Sequence, residues 1–405
     1  MQTKSEKIRQ SLKETREKRL SQDCHVFELK IVKNKLSRKT KKSLQRLFLE
    51  AKWFYNFILS QDDVFDFDTK VSTIQILNKD KVLEDRNLEV VSSQIKQGIH
   101  DRLCASIKGL SVSKKKGRRI GKLKFKPFIN SIYLKQFDNT YKIYKNRISI
   151  QGIKQKLRVS GLKQIPEGSE FANATLIRKH RDYFLKVTCY TQKVMSSKIK
   201  DCIGIDFGIK TQMTFSNRIK VESKIAVSGQ TKKIARQVSR SKKNSKNRFR
   251  LRMILQKRYE KTNNQKKDIR KKIVSYLKNN YTTSIQNEMI KQWKSGRFGK
   301  AIQESAIGGI ISEIKNLSDT HIVARSFPST KLCPSCGCLN TIVLSERIYK
   351  CDCEYSEDRD IHSAINILNE IPMERRKLKP SEKRTSVEML EYFKTIPNIS
   401  VSLIQ

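Results

Sequence analysis

The stretch from residue 331 to residue 368, KLCPSCGCLNTIVLSERIYKCDCEYSEDRDIHSAINIL, contains two signals of different kinds. Two closely spaced cysteine pairs are followed within a few residues by the acidic string DRD and then by an apolar pattern with helical spacing. The pattern predicts a metal-binding segment placed directly before a group of acids. The cysteine pairs do not explain the acids, and the acids do not explain the cysteine pairs. The role of this stretch therefore has to be inferred from the rest of the chain.

The cysteine pairs are Cys333 with Cys336 and Cys351 with Cys353. Zinc takes four thiolates in a tetrahedron, and two short-spaced pairs at this separation are typical of a zinc ribbon. The second pair is one residue shorter than usual, and Glu354 stands where a glycine normally follows. Cys338 is a possible substitute ligand, and a set of apolar cysteines without metal is the alternative. A closed four-sulfur site would hold structure and leave no coordination position for chemistry.

The charge balance points to a polyanionic partner. The 405 residues include 86 Lys and Arg against 39 Asp and Glu, which gives a net charge of +47 and a pI near 10.1. Nucleic acid is the first expectation for so basic a chain, and an anionic membrane surface is the alternative. No run of about 18 uncharged apolar residues exists, and the first ten residues lack an apolar signal core. We therefore expect a cytoplasmic protein without a membrane partner. The clustered cysteines fit a metal site in a reducing compartment.

The N-terminal half predicts a β domain interrupted by helices. A basic arm spans residues 1–24, and alternating segments at 25–36 and 116–195 predict a small β-barrel-like domain. Between them, residues 37–115 predict a helical insertion. Its first helix, at about 39–60, has an apolar face formed by Leu44, Leu47, Phe48, Ala51 and Phe54.

The C-terminal half predicts an α/β domain over residues 200–370, with the zinc ribbon at 331–356 and a C-terminal tail at 371–405 whose pattern is uninformative. Strands are expected near 202–208, 211–217, 220–227, 281–288 and 321–327, with helices at about 300–317 and 361–369. Residues 231–274 hold 18 Lys and Arg but only two acids on a helical pattern. Such a charge imbalance indicates that the segment contacts a phosphate backbone and is not merely a solvated helix face. The residues chosen to test this contact are Arg248, Arg250 and Arg252.

Acids at distant positions suit a metal-dependent nuclease. Asp206 lies in the middle of a predicted strand of small and branched residues, where a carboxylate is costly unless it binds something. A turn-forming Asp just before Phe207 and Gly208 is the alternative. Asp358 and Asp360 precede a helix, and each alone is compatible with a helix cap. Combined on a highly basic protein, such carboxylates are suited to a pair of Mg²⁺ ions that act on a phosphodiester.

At these motifs the chain resembles the TnpB family, transposon-encoded RNA-guided DNA endonucleases related to type V CRISPR effectors. The resemblance rests on GIDFG (204–208), FPSTKLCPSCG (327–337), LSERIYKCDCEYSEDRDIHSAINIL (344–368) and ELKIVKNKLSRKTKKSLQRLFLEAKWFYN (28–56). It covers roughly residues 25–369.

The resemblance implies a RuvC-like domain of the RNase H type, with the zinc ribbon inserted before its last helix. The chain would then return from the zinc segment to the nuclease core at a catalytic acid. By the family motif the first and last catalytic acids match Asp206 and Asp360, and His362 stands where many members have Asn. The family's usual string around the middle acid is missing. Glu288 is the first choice for that role, and Glu304 is the alternative.

The resemblance also implies function and partners. The expected activity is guide-RNA-directed, Mg²⁺-dependent cleavage of double-stranded DNA beside a short adjacent motif. The β domain and its helical insertion would grip the guide RNA and read that motif, while base pairing supplies most of the specificity. Two alternatives stay open: an RNA-guided DNA-binding protein without cleavage, and a zinc-ribbon nucleic-acid-binding protein whose acids are caps.

Overall fold

The structure is a computed structural model that describes residues 3–78, 82–180, 182–193, 200–343, 346–375 and 386–404. The chain divides into two compact units, Met1–Met195 and Ser196–Gln405. Among the described residues, no helix has both the length and the apolar character that a membrane crossing requires.

Within its described residues, the first unit has three α-helices and nine strands. The helices are α1 (Lys4–Leu20), α2 (Arg38–Leu59) and α3 (Ser93–Lys115), and the strands are β1 (Gln22–Ile31), β2 (Thr73–Leu77), β3 (Leu83–Asn87), β4 (Ser131–Leu134), β5 (Tyr141–Ile143), β6 (Arg147–Ile150), β7 (Ile153–Ser160), β8 (Glu170–Lys179) and β9 (Asp182–Gln192). Most of the N-terminal arm is therefore helical. Its helix α1 begins at a capping box between Thr3 and Glu6.

Seven of these strands form one antiparallel sheet in the order β4-β8-β9-β1-β7-β6-β5. The two ends of the sheet approach each other, because Tyr141 on the last strand donates a hydrogen bond of 3.0 Å to the carbonyl oxygen of Ala172 on β8. The rings of Phe137 and Phe171 lie 4.8 Å apart at the same place. The sheet therefore curls around its apolar core.

The helical segment differs in part from its prediction. Helix α2 begins at the N-cap Ser37 and buries the five residues of its predicted apolar face. Residues 37–115 are not helical throughout, however, because the antiparallel hairpin β2–β3 lies between α2 and α3. The alternation in TIQIL (73–77) was the signal for that hairpin.

The described part of the second unit has eight strands and seven α-helices. The strands are β10 (Asp201–Asp206), β11 (Met213–Phe215), β12 (Ile219–Ser223), β13 (Tyr281–Gln286), β14 (Thr320–Val323), β15 (Ile348–Lys350), β16 (Ser356–Asp358) and β17 (Ile399–Leu403), and the helices are α4 (Gly229–Arg240), α5 (Lys246–Asn280), α6 (Ile290–Ser295), α7 (Gly299–Glu304), α8 (Ile307–Ile314), α9 (Arg359–Asn369) and α10 (Ser386–Lys394).

A six-stranded mixed sheet in the order β14-β13-β10-β11-β12-β17 forms the centre of this unit. Strands β10, β13 and β14 run parallel, so their carboxyl ends lie at one edge. Helix α9 packs directly on β10 at Gly204, where an added Cβ would lie 2.0 Å from the carbonyl oxygen of Ala364. This close approach requires glycine and fixes α9 over the strand that ends at Asp206.

Residues 386–404 are part of this unit, whereas the sequence predicted only a C-terminal tail at 371–405. Strand β17 pairs with β12 and extends the sheet. Phe393 on α10 is fully buried, with its ring 5.9 Å from that of Phe215. The sequence reasoning found no periodicity in this segment because its two elements are short and gain their burial from contacts with β11 and β12.

Candidate functional site: an acid cluster beside a thiol cluster

Asp206 is the last residue of β10 and lies half-buried at the carboxyl edge of the sheet. Its Oδ1 accepts a hydrogen bond of 3.1 Å from the hydroxyl of Ser363 on α9. Burial raises the pKa of Asp206 to about 7, and the negative charges of Asp360 and Glu288 add to that increase. The hydrogen bond from Ser363 opposes it, because that bond favours the ionised carboxylate.

Asp358 and Asp360 have different roles at the start of α9. Asp358 is the helix cap, since its Oδ1 accepts hydrogen bonds from the backbone N–H groups of Asp360 at 3.0 Å and Ile361 at 3.2 Å. The side chain of Asp360 is half-buried and makes no such cap. The capping explanation therefore accounts for Asp358 and leaves the Asp360 carboxylate available for another purpose.

Glu288 follows the end of β13 by two residues rather than ending the strand itself. Burial raises the pKa of its carboxyl, and the charges of Arg325 and Lys315 lower it. The alternative acid, Glu304, ends α7, and its charge acts on Lys266. The structure thus brings Glu288 within the electrostatic reach of Asp206 and places Glu304 beside Lys266.

Three carboxylates from three distant segments therefore converge near the carboxyl ends of β10 and β13. Like charges that approach one another disfavour ionisation, and a bound divalent cation would relieve that repulsion. The donor set consists of carboxylate oxygens, which are the ligands that Mg²⁺ takes in proteins. The three carboxylates do not form a group with all ligand atoms within 4.8 Å in the part of the chain that the structure describes.

A row of buried polar side chains lies behind Asp206. The Oγ of Ser363, whose single proton goes to Asp206, lies 3.0 Å from the Oγ of Ser329, and Ser329 donates to Oε1 of Gln286 at 2.9 Å. The amide of Gln286 donates to the carbonyl of Phe327 at 2.8 Å. Sequence reasoning missed these residues, although Ser363 lies three positions after Asp360 and so shares its helix face.

Lys220 on β12 is another residue near the acids that the sequence patterns did not indicate. Its ammonium lies 2.8 Å from Oδ1 of Asp358 and 3.7 Å from Oδ2 of Asp360. Nothing in the strand pattern distinguishes it from the many other lysines of the chain. Its position shows that one cation is fixed beside the acids by the protein itself.

The four predicted thiols form a compact cluster next to the start of α9. The Sγ atoms of Cys333 and Cys353 are 3.6 Å apart, those of Cys336 and Cys351 are 3.5 Å apart, and all four lie within 4.8 Å of one another. A tetrahedral zinc ion with bonds of about 2.3 Å requires sulfur separations of this size. The thiol positions therefore fit zinc.

The backbone of the cluster also fits two short turns. Gly337 has φ of 75° and donates its N–H to the carbonyl of Cys333 at 2.9 Å. Glu354 has φ of 67° at the position where glycine was expected, and it tolerates this left-handed conformation at some cost in strain. Cys338 is exposed and lies outside the four-thiol group.

Buried polar contacts join the thiol segment to α9. The ring of His362 stacks on Tyr349 with centroids 3.7 Å apart, and burial lowers the pKa of this histidine to about 4. The amide of Asn366 donates hydrogen bonds of 2.7 Å to the carbonyl oxygens of Ser329 and Leu332. The helix that carries Asp360 is therefore held by the same segment that carries the cysteines.

The basic residues lie on α4 and α5, which pack against each other. Arg250 and Arg252 are exposed near the start of α5. Arg248 is half-buried and donates a hydrogen bond of 2.8 Å to the carbonyl oxygen of Ser241. Arg250 and Arg252 are thus accessible to a phosphate, whereas Arg248 stabilises the connection between α4 and α5.

Comparisons with known proteins support the resemblance found in the sequence. Residues 316–367 match the family described as "Cas12f1-like, TNB domain". A curated protein of Streptomyces pristinaespiralis, named "Putative RNA-guided DNA endonuclease", is 26% identical over 226 residues. That similarity covers 53% of this chain and 56% of the relative, so the chain spans about half the length of the curated relative it matches. The chain is similar to TnpB and Cas12f proteins, as its sequence predicted.

Proposed function

We propose that this TnpB- and Cas12f-like protein is an RNA-guided, divalent-metal-dependent DNA endonuclease with a RuvC-like catalytic unit. One observation carries the proposal: Asp206, Glu288 and Asp360, from three distant segments, lie close enough for the charges of the other two to raise the pKa of Asp206. Groups with pKa values shifted by burial and by like charges cluster at functional sites. The name of the curated relative supports the same activity.

In this proposal Asp206, Glu288 and Asp360 would hold Mg²⁺ through their carboxylate oxygens. The bound metal would supply activation of water and stabilisation of the leaving oxygen of a phosphodiester. Ser363 keeps the Asp206 carboxylate oriented, and Asp358 starts the helix that presents Asp360. The protein thereby arranges the metal ligands before the substrate arrives.

The four cysteines would hold one zinc ion with a structural role. With all four positions taken by thiolates, the ion would have no site for water or substrate. Its contribution would be to fix the segment that contacts α9 through Tyr349 and Asn366. Loss of zinc would therefore disturb Asp360 indirectly, through the position of its helix.

The positive charge would bind nucleic acid through phosphates. Exposed Arg250 and Arg252 on α5, and the net charge of +47, are suited to a guide RNA paired with one strand of target DNA. The adjacent motif and the guide would together choose the site of cleavage. The alternative, binding without cleavage, is less well supported, because all three carboxylates are present and the charges of Asp360 and Glu288 both act on Asp206.

The proposal is tested by purifying the protein together with its RNA, sequencing that RNA and building DNA targets that are complementary to its variable end and carry randomised flanks, so that the adjacent motif is represented. We expect cleavage that requires both the matching guide and Mg²⁺. A complex that binds the matched target but never cuts it at any Mg²⁺ concentration would favour the RNA-guided binding protein. A purified protein that carries no RNA would favour the zinc-ribbon binding protein.

A further inference from the structure

The loop between α3 and β4 combines positive charge with exposed aromatic rings. Residues 114–130, KKKGRRIGKLKFKPFIN, contain no acid. Two phenylalanines in this loop stand out: Phe125 is 62% exposed and Phe128 is 60% exposed. Exposure of a large aromatic side chain to water is unfavourable. Two such rings three residues apart in a basic loop therefore indicate a ligand that can cover the rings and also carries negative charge.

The backbone that carries these rings is held in place. The side-chain amide of Asn56 on α2 accepts a hydrogen bond of 2.8 Å from the N–H of Lys126 and donates one of 3.0 Å to the carbonyl of the same residue. The Lys126 ammonium lies 3.7 Å from the ring centroid of Tyr55. Further along, Arg178 on β8 donates its backbone N–H to the carbonyl of Asn130 at 2.8 Å. The two phenylalanines are therefore presented outward from a fixed backbone.

A third exposed phenylalanine of the same unit, Phe65, lacks the positive surroundings that this loop has. Phe65 is 48% exposed, but it lies in the acidic segment QDDVFDFD (61–68), and Lys108 approaches its ring face at 5.6 Å. A polyanion would be repelled there. Phe125 instead stands between Lys124 and Lys126, where phosphates are attracted and a base can meet the ring.

We propose that Phe125 and Phe128, together with Lys122 and Lys124, form an aromatic–basic loop that binds single-stranded RNA by stacking on its unpaired bases. Aromatic rings interleaved with basic side chains are the combination by which proteins bind single strands without reading a base sequence. RNA is the favoured strand because its loops and ends offer unpaired bases, whereas a DNA target arrives with its bases stacked in a duplex. That the RNA is a guide rests on the proposed function; the stacking contact itself does not.

The test measures binding of the full-length, zinc-loaded protein to an unstructured fluorescent RNA oligonucleotide over a series of salt concentrations. We expect the double variant Phe125→Ala/Phe128→Ala to lose about tenfold or more in affinity, with an unchanged slope of log K against log salt. The double variant Phe125→Tyr/Phe128→Tyr keeps both rings and should bind as the parent does. Lys122→Ala or Lys124→Ala should instead lower the slope by about 0.7 per lost phosphate contact. Phe65→Ala is the matched control and should change neither quantity.

Two further ligands make the outcome decisive. An abasic oligonucleotide of equal length keeps the phosphates but has no bases, so the parent and the alanine double variant should bind it equally. Wild-type affinity of the alanine variant for RNA, or an equal loss on the abasic strand, would overturn the stacking contact. A loss seen with single-stranded DNA but not with RNA would overturn the assignment to RNA. None of these readouts needs cleavage, so they are independent of whether the acids are catalytic.

Discussion

Ser363 on α9 donates a hydrogen bond of 3.1 Å to Oδ1 of Asp206 on β10, across 157 positions of the sequence. This bond joins the helix that follows the cysteine segment to the strand that opens the second unit. It also favours the ionised form of the Asp206 carboxyl, whose pKa is otherwise raised by burial and by neighbouring acids. The state of the proposed metal ligand therefore depends on how α9 is placed.

We expect Ser363→Ala to raise the pKa of Asp206 further, because the hydrogen bond that favours the carboxylate is lost. The pH profile of DNA cleavage at fixed Mg²⁺ should then have its acid limb at higher pH, while the rate at high pH falls little. Ser305→Ala removes another buried serine hydroxyl of the same unit, one that bonds to the carbonyl of Ile302, and serves as the control. An acid limb that Ser363→Ala leaves in place would contradict the role given to this bond.

The raised pKa of Asp206 predicts how stability depends on pH. The folded protein has a pKa of about 7 for this group against the usual 3.8, so it binds the proton more tightly than the unfolded chain does. The contribution of Asp206 to the free energy of unfolding should therefore fall as pH rises from about 4 to about 7 in magnesium-free buffer. The Asp206→Asn variant has no ionisable group at this position, so its free energy of unfolding lacks this pH-dependent contribution.

The measurement is denaturant unfolding of parent and Asp206→Asn protein at pH 5 and pH 8, without magnesium. We expect the variant to gain roughly 2 to 4 kcal/mol relative to the parent between the two pH values, and added Mg²⁺ to stabilise the parent alone at pH 8. An identical pH dependence of the two proteins would show that Asp206 ionises normally.

The thiol cluster predicts one zinc per chain. Cys333→Ser and Cys353→Ser should each lose the metal and lower the thermal stability of the second unit, because one of the four thiols of the tetrahedral set is removed. Cys338→Ser, on the exposed cysteine outside the group, should keep zinc and is the matched control. Metal analysis of the purified variants decides the point. Zinc that persists in Cys353→Ser but is lost in Cys338→Ser would reassign the fourth ligand.

The three arginines of α5 should differ in their effects on nucleic-acid binding. Arg250→Ala and Arg252→Ala remove exposed charges, and each that contacts a phosphate should reduce the salt slope of log K by roughly 0.7 to 0.9 for every target sequence. Arg248→Ala removes a hydrogen bond to Ser241 and should act mainly on stability. Salt titrations of binding and thermal unfolding separate these effects. If all three variants keep the affinity and slope of the parent, α5 is a solvated face.

Sequence patterns predicted several features that depend on local spacing. The apolar face of α2, the two cysteine pairs and the strand that contains Asp206 follow from short-range periodicity or motif spacing. That strand is shorter than predicted, because it ends at Asp206 and not at Gly208. The family resemblance favoured Asp360 over Asp358 as the last catalytic acid, but local patterns could not distinguish the two, because either acid can cap a helix until the backbone shows which one does. The structure makes that distinction through two hydrogen bonds to Asp358.

Features that depend on contacts between distant segments were missed. Ser329 and Lys220 gain their importance only when β12, α9 and the segment after β14 come together. Strand β17 is recognisable only by its pairing with β12. The choice between Glu288 and Glu304 likewise depends on which acid the fold carries toward Asp206, and no local pattern in residues 284–304 determines that.

The most direct test of the proposed nuclease is cleavage of a guide-matched DNA target by the Asp360→Ala protein, with RNA binding and zinc content measured on the same preparation. We predict that cleavage is abolished while RNA binding and zinc content stay at the level of the parent, because Asp360 would hold Mg²⁺ and takes no part in either. Glu304→Ala is the matched control and should cut as the parent does. Cleavage by Asp360→Ala at the rate of the parent would contradict the account and place the nuclease site elsewhere.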